Sequence, residues 1–165
     1  MTLFPVAKKN AARLLNDTLR FLRRYGHHYQ IPRLSTLDHF DVRRMDLDGA
    51  LMRSAFGLKY VKGVYKIDLT TATYNSRAFE DAQMALVSGL KLFSQTPRGL
   101  QMGVSYPHAY TDYYAILNFS KLHPTMIDLE KVFDIAMPEA ERLDAVVDET
   151  REPSSRLRFL STASK

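Results

Sequence analysis

Four carboxylates, Asp38, Asp41, Asp46 and Asp48, flank His39. Such a group could hold a divalent cation for phosphate-ester hydrolysis if the substrate supplied further oxygens. Asp46-x-Asp48-Gly49 resembles the opening of a calcium loop, but glycine follows Asp48 directly and no glutamate stands where that loop must close. An exposed polar loop is the better account of these residues. The histidines, His27, His28, His39, His108 and His123, include no pair three or four residues apart. No two imidazoles therefore share a helical face, and neither a metal site nor a cofactor is expected. His27 and His28 read instead as an extension of the positive charge beside them. Phosphate-cradling glycine loops, the nucleophile elbow and the zinc-protease helix are all missing. Without cysteine, disulfides, thiolate zinc sites and cysteine nucleophiles are excluded too. Catalysis is not expected.

Cations are better organised. At about 100° per residue, Lys9, Arg13, Arg20, Arg23 and Arg24 cluster on one face of a helix, while Leu14, Leu15, Leu19, Phe21, Leu22 and Tyr25 take the other. A basic amphipathic helix suits an anionic partner: nucleic acid, an anionic membrane surface or an import receptor. A second group, Tyr106, His108, Tyr110, Tyr113 and Tyr114 with Arg98 nearby, combines aromatic rings that can stack on bases with a cation. The expected nucleic-acid or anion-binding residues are therefore Lys9, Arg13, Arg20, Arg23, Arg24, Arg98, Tyr110 and Tyr113. Lys62-Gly63 opens as the signature of an RNA-recognition motif does, but the aromatics required later are absent, so that motif is not assigned.

The elements that must position these residues follow from periodicity and turn chemistry. A helix is predicted over 5–25, with Pro5 in its first turn and Gly26 as its stop, and a short helix over 37–45 or 48–56. Alternation over 64–74 predicts a strand with Tyr65, Ile67 and Leu69 facing the core. Asn75 and Ser76 then offer caps to a helix carrying Phe79, Ala82, Leu86, Leu90 and Phe93 at helical spacing. Thr96-Pro97-Arg98-Gly99 reads as a type I turn, and 100–106 and 113–121 as strands of a hairpin with a long tip. Thr125 with Asp128 forms a capping-box pattern for a third helix, which Pro138 should interrupt before an acidic helical segment. The predicted fold class is α+β, a small mostly antiparallel sheet covered by helices and preceded by a basic amphipathic N-terminal helix. One domain is expected over 1–152, with the basic helix at 5–25, a mixed core at 34–137 and the acidic segment at 138–152, followed by a flexible basic tail at 153–165.

Charge is unevenly distributed along the 165 residues: 1–37 hold seven Lys/Arg and one acid, whereas 126–152 hold three Lys/Arg and nine acids. A basic front and an acidic back suit self-association or masking of the basic face by the acidic segment. No apolar run reaches membrane-spanning length. The reading these features favour is a non-catalytic basic accessory or structural protein of a nucleoprotein assembly, such as a virion core or matrix-type factor or a ribonucleoprotein subunit. Its expected partners are RNA or ribonucleoprotein, other assembly proteins and a second copy of itself, and its expected location is intracellular or within a virion. Three alternatives stand beside it: an imported organellar subunit with an Arg-rich presequence, a small metal-dependent hydrolase or nuclease using the Asp38 to Asp48 carboxylates, and a peripheral membrane binder.

Overall fold

A computed structural model of the chain describes residues 6–29, 44–104 and 112–163. Its elements in order are α1 (Ala11–Tyr25), α2 (Leu47–Phe56), β1 (Leu58–Val61), β2 (Val64–Ile67), a 3-10 turn (Thr73–Asn75), α3 (Ser76–Phe93), α4 (Pro97–Met102), α5 (Asp112–Lys121) and α6 (Met126–Ala163). The class is α+β and strongly helical, with the basic amphipathic helix at its start as predicted. The sheet is the antiparallel pair of β1 and β2.

Helix α3 runs through the middle of the core. Its buried Ala82, Ala85, Leu86, Leu90 and Phe93 meet α6, which contributes Leu129, Val132, Phe133, Ala136 and Ala140. Gly89 sets the distance between these helices, since a Cβ there would sit 2.8 Å from the Val132 carbonyl oxygen and 3.1 Å from Ala136 Cβ. On the other side, α1 buries Ala11, Leu14, Leu15, Leu19 and Leu22 against α2, α3 and α6. Buried Asn75 ties three segments together: its side chain accepts from the Lys9 N–H (2.8 Å) and donates to the carbonyls of Ala7 (3.0 Å) and Ala55 (2.8 Å). It therefore does not use its side chain to cap α3.

Several expected elements differ. Helix α1 begins at Ala11 rather than in the first turn after Pro5, because Asn10 adopts an extended backbone and its side chain accepts from the Arg13 N–H. Strand β2 stops at Ile67, not Tyr74. There the Asp68 carboxylate turns the chain by accepting from the Thr70 N–H and hydroxyl and the Thr71 N–H. Only Ile67 of the three expected core residues is buried; Tyr65 and Leu69 are exposed.

The strands expected over 100–106 and 113–121 are not formed among the described residues. Thr96 caps α4 with Pro97 in its first turn, so the anticipated type I turn is the start of a helix. The second run is α5, whose buried Ala115, Ile116, Phe119 and Ser120 repeat at helical spacing. The nearly unbroken apolar stretch from Tyr113 to Phe119 satisfies both periods, and packing on α3, with the Phe93 and Phe119 rings 6.0 Å apart, selects the helix.

The capping box is present, with the Thr125 hydroxyl accepting from the Asp128 N–H and the Asp128 carboxylate accepting from the Thr125 N–H. Pro138 does not end the helix it was expected to interrupt. It lies on the exposed side, where water can take the carbonyl it leaves unbonded, while Ala136 and Ala140 anchor the buried side. The expected acidic segment thus continues the same helix, and α6 runs on through Pro153 to Ala163.

Candidate nucleic-acid interface

The outward face of α1 is a consequence of how the helix is held. Asp144 of α6 closes its N-terminus by accepting from the Ala11 (2.8 Å) and Ala12 (3.0 Å) N–H groups, and Gly26 ends it by donating to the Leu22 carbonyl. Between these anchors the apolar side is buried. Arg13, Arg20 and Arg24 are left pointing to solvent, the first two with side chains 60% and 81% exposed. Arg24 also lies over the Tyr25 ring at 5.2 Å.

Asp17 is the only acid on this helix. Its carboxylate is 2.8 Å from Lys9 Nζ, but 3.9 Å from Arg13 and 3.8 Å from Arg20. The lysine thus takes the close contact and the arginines lean on the acid from outside. Lys9 itself is largely buried and also donates to the Ser54 carbonyl at 2.9 Å, so it works as a strut between α1 and α2.

Other expected site residues are placed differently. Arg23 meets Glu130 of α6 at 3.0 Å. Arg98 forms a forked pair with Asp128, at 2.9 and 3.0 Å, which pins α4 to the start of α6. The Arg98 hydrogen bond, joined by those from Thr125, holds the Asp128 carboxyl down at about 2. Tyr110, Tyr106 and His108 lie outside the described residues, as does the side chain of Tyr113. Tyr114 is exposed.

His27 does not extend the positive patch. Burial, with lesser contributions from His28 and His123, pushes its pKa down to about 4, so the ring is neutral near pH 7 and shares a 3.2 Å hydrogen bond with buried Ser120. Asp38, His39 and Asp41 lie outside the described residues. Asp46 and Asp48 are buried at the start of α2, one capping it through the Gly49 N–H and the other accepting from Gln83. Among the described residues no group of three or more His, Asp or Glu is placed to hold a metal ion.

A cleft of about 370 Å³ opens between Lys8, Asn10, Tyr74, Arg77 and Asp144. Two of its charges are engaged within the protein: Asp144 caps α1 and Arg77 meets Asp81 at 3.3 Å.

One surface escapes the helical reading of charge. The hairpin of β1 and β2 presents Tyr60 and Tyr65, 50% and 39% exposed, on one face, with Lys62 exposed in the turn and Lys59 and Lys66 paired on the other face. Its signal is in the sequence, since Leu58-Lys-Tyr-Val-Lys-Gly-Val-Tyr-Lys-Ile67 reads nearly the same in both directions about Lys62-Gly63. Reading the strand as starting at Val64 hides that symmetry.

Among the described residues no helix is long and apolar enough to cross a membrane. Compared with protein-family models, curated proteins and solved structures, the chain matches none.

Proposed function

We propose that this chain is a non-catalytic basic accessory protein of a nucleoprotein assembly, and that it contacts RNA phosphates through Arg13, Arg20 and Arg24. The observation that carries this reading is the contrast between the two sides of α1. One is committed to the core, and the other presents three exposed guanidinium groups, of which Arg13 and Arg20 share the single carboxylate of Asp17 at 3.9 and 3.8 Å and Arg24 lies over the Tyr25 ring. Arg20 and Arg24 stand one turn apart, about 6 Å along the axis, and each offers a planar fork suited to phosphate.

The same contrast weighs against two alternatives. An import presequence is removed, whereas Ala11, Leu14, Leu15, Leu19 and Leu22 belong to the core of this fold. A membrane-surface helix needs its apolar face free to insert, and here α2, α3 and α6 cover that face. Asp46 and Asp48, buried and hydrogen-bonded within the fold, support the non-catalytic reading over a hydrolase.

Fluorescence anisotropy with a labelled single-stranded oligouridylate of about 12 nucleotides tests the proposal. The triple variant Arg13→Gln, Arg20→Gln, Arg24→Gln is expected to bind more weakly and to lower the slope of log affinity against log salt by about 2, at about 0.7 per phosphate contact. Its melting temperature should stay close to that of the parent, because each substitution lies on the surface. Equal binding by parent and variant at about 0.15 M salt, where screening is physiological, overturns the reading.

A further inference from the structure

We propose that the tip of the β1–β2 hairpin is a second contact for single-stranded RNA, with Tyr60 and Tyr65 stacking on an unpaired base and Lys62 in the turn meeting a flanking phosphate. This inference rests on the RNA-binding reading and adds to it a specificity for unpaired over duplex RNA.

The register pairs Leu58 with Ile67, Lys59 with Lys66, Tyr60 with Tyr65 and Val61 with Val64. Residues opposite one another in an antiparallel pair share a face, so the buried Leu58 and Ile67 root the hairpin and the tyrosines continue that face into solvent. Their ring centroids are 5.1 Å apart with planes inclined by 61°. The rings therefore do not cover each other face to face. Tyr60 reaches toward the turn, where a Cβ on Gly63 would lie 3.9 Å from its hydroxyl.

Three features of this hairpin work against its own stability. Lys59 stands directly across from Lys66, a like-charge pairing that repels. Lys62 has φ +50° beside Gly63 at +83°, a left-handed turn that asparagine or glycine would make with less strain. Two large aromatic rings face water instead of the core.

A single-stranded nucleic acid answers the last of these directly. Its bases cover the rings and a flanking phosphate neutralises Lys62 in the turn, and an unpaired base alone has a free π-face to offer. Duplex RNA stacks its bases on one another and leaves only phosphates for the protein to meet.

The experiment compares binding of a labelled oligouridylate of about 12 nucleotides with binding of an RNA duplex of the same length, using the full chain. Tyr60→Ala with Tyr65→Ala should weaken oligouridylate binding roughly tenfold or more, the loss of one stacked base, and leave duplex binding unchanged. Tyr60→Phe with Tyr65→Phe should retain parental affinity, since the ring and not the hydroxyl is used. Lys62→Gln, which leaves the rings in place, should weaken oligouridylate binding and lower its salt slope by about 0.7.

If the alanine pair binds oligouridylate as tightly as the parent while the α1 triple variant does not, the hairpin inference fails and the α1 reading stands. Loss in the hairpin variants with none in the α1 triple overturns the α1 contact and keeps the hairpin one. An equal loss for single strand and duplex, or a phenylalanine pair as weak as the alanine pair, overturns stacking. Binding of the parent to anionic-lipid vesicles but not to oligouridylate overturns both proposals.

Discussion

Arg23 on α1 and Glu130 on α6 meet at 3.0 Å, and with them the basic front of the chain meets its acidic back within one molecule. The two helices run antiparallel, since Ala11 at the start of α1 is held by Asp144 far along α6 and Arg23 near its end by Glu130 near the start of α6. Masking of the basic face is therefore partial: α6 engages Arg23, while Arg13, Arg20 and Arg24 remain turned away to solvent.

Releasing Arg23 should strengthen binding of an anionic partner. In Glu130→Gln the freed guanidinium is expected to add one phosphate contact, steepening the salt slope for oligouridylate by about 0.7. Stability should change by no more than about 1 kcal/mol, because both partners are partly exposed. Salt titrations of parent and variant by anisotropy provide the comparison, and an unchanged slope would show that Arg23 lies away from the ligand.

Gly89→Ala tests the closeness of α3 and α6. In an open helix this change stabilises, but here the new methyl would press on the Val132 carbonyl at 2.8 Å, so a loss of about 1–3 kcal/mol is expected. Urea unfolding at equilibrium measures it. A gain in stability would mean the two helices stand far enough apart at this point to admit a methyl group.

Asn75→Asp keeps the shape of the side chain and removes its N–H donors. The Ala7 and Ala55 carbonyls would then face a carboxylate in a buried site, and a loss of about 1–3 kcal/mol or more is expected. Protonating the new carboxyl at low pH should restore part of that loss.

Acid should destabilise the fold in two windows. His27 has a folded pKa of about 4, below its ordinary value near 6.5, so its proton favours the unfolded chain and stability falls as pH drops from about 6.5 to 4. Asp128 has a folded value of about 2, below the usual carboxylate value, so its contribution is complete above about pH 4 and is lost on approach to 2. Thermal unfolding across pH should show His27→Gln flattening the upper window and Asp128→Asn the lower. A profile that either variant leaves unaltered would contradict the corresponding contact.

Lys62→Asn should stabilise the protein by about 1 kcal/mol, since asparagine tolerates the left-handed turn at φ +50° better than lysine. Oligouridylate affinity should fall in the same variant. A rise in melting temperature without a loss of affinity would leave the lysine unexplained.

Much of this architecture was readable along the chain. The two faces of α1, the spacing of Phe79, Ala82, Leu86, Leu90 and Phe93 in α3, and the reciprocal cap of Thr125 and Asp128 are local patterns, and local patterns need only neighbouring residues to act. The hairpin was readable in the same sense, because the symmetry about Lys62-Gly63 dictates its register. Tyr65 is exposed where alternation placed it in the core, because alternation identifies which side chains share a face but not how far that face extends beyond the core.

Tertiary structure alone decided the rest. Residues 113–119 are apolar at nearly every position and fit a strand or a helix until α3 offers a surface for Ala115, Ile116 and Phe119. The fate of each cation was likewise set by residues distant in sequence. Ser54 draws Lys9 inward alongside Asp17, Asp128 takes the fork of Arg98, and Glu130 takes Arg23, while among the described residues Asp17 stays 3.8–3.9 Å from Arg13 and Arg20. Periodicity assigns a charge to a face of its helix; whether that charge is spent inside the protein depends on which carboxylates the packing of other helices brings within hydrogen-bond distance.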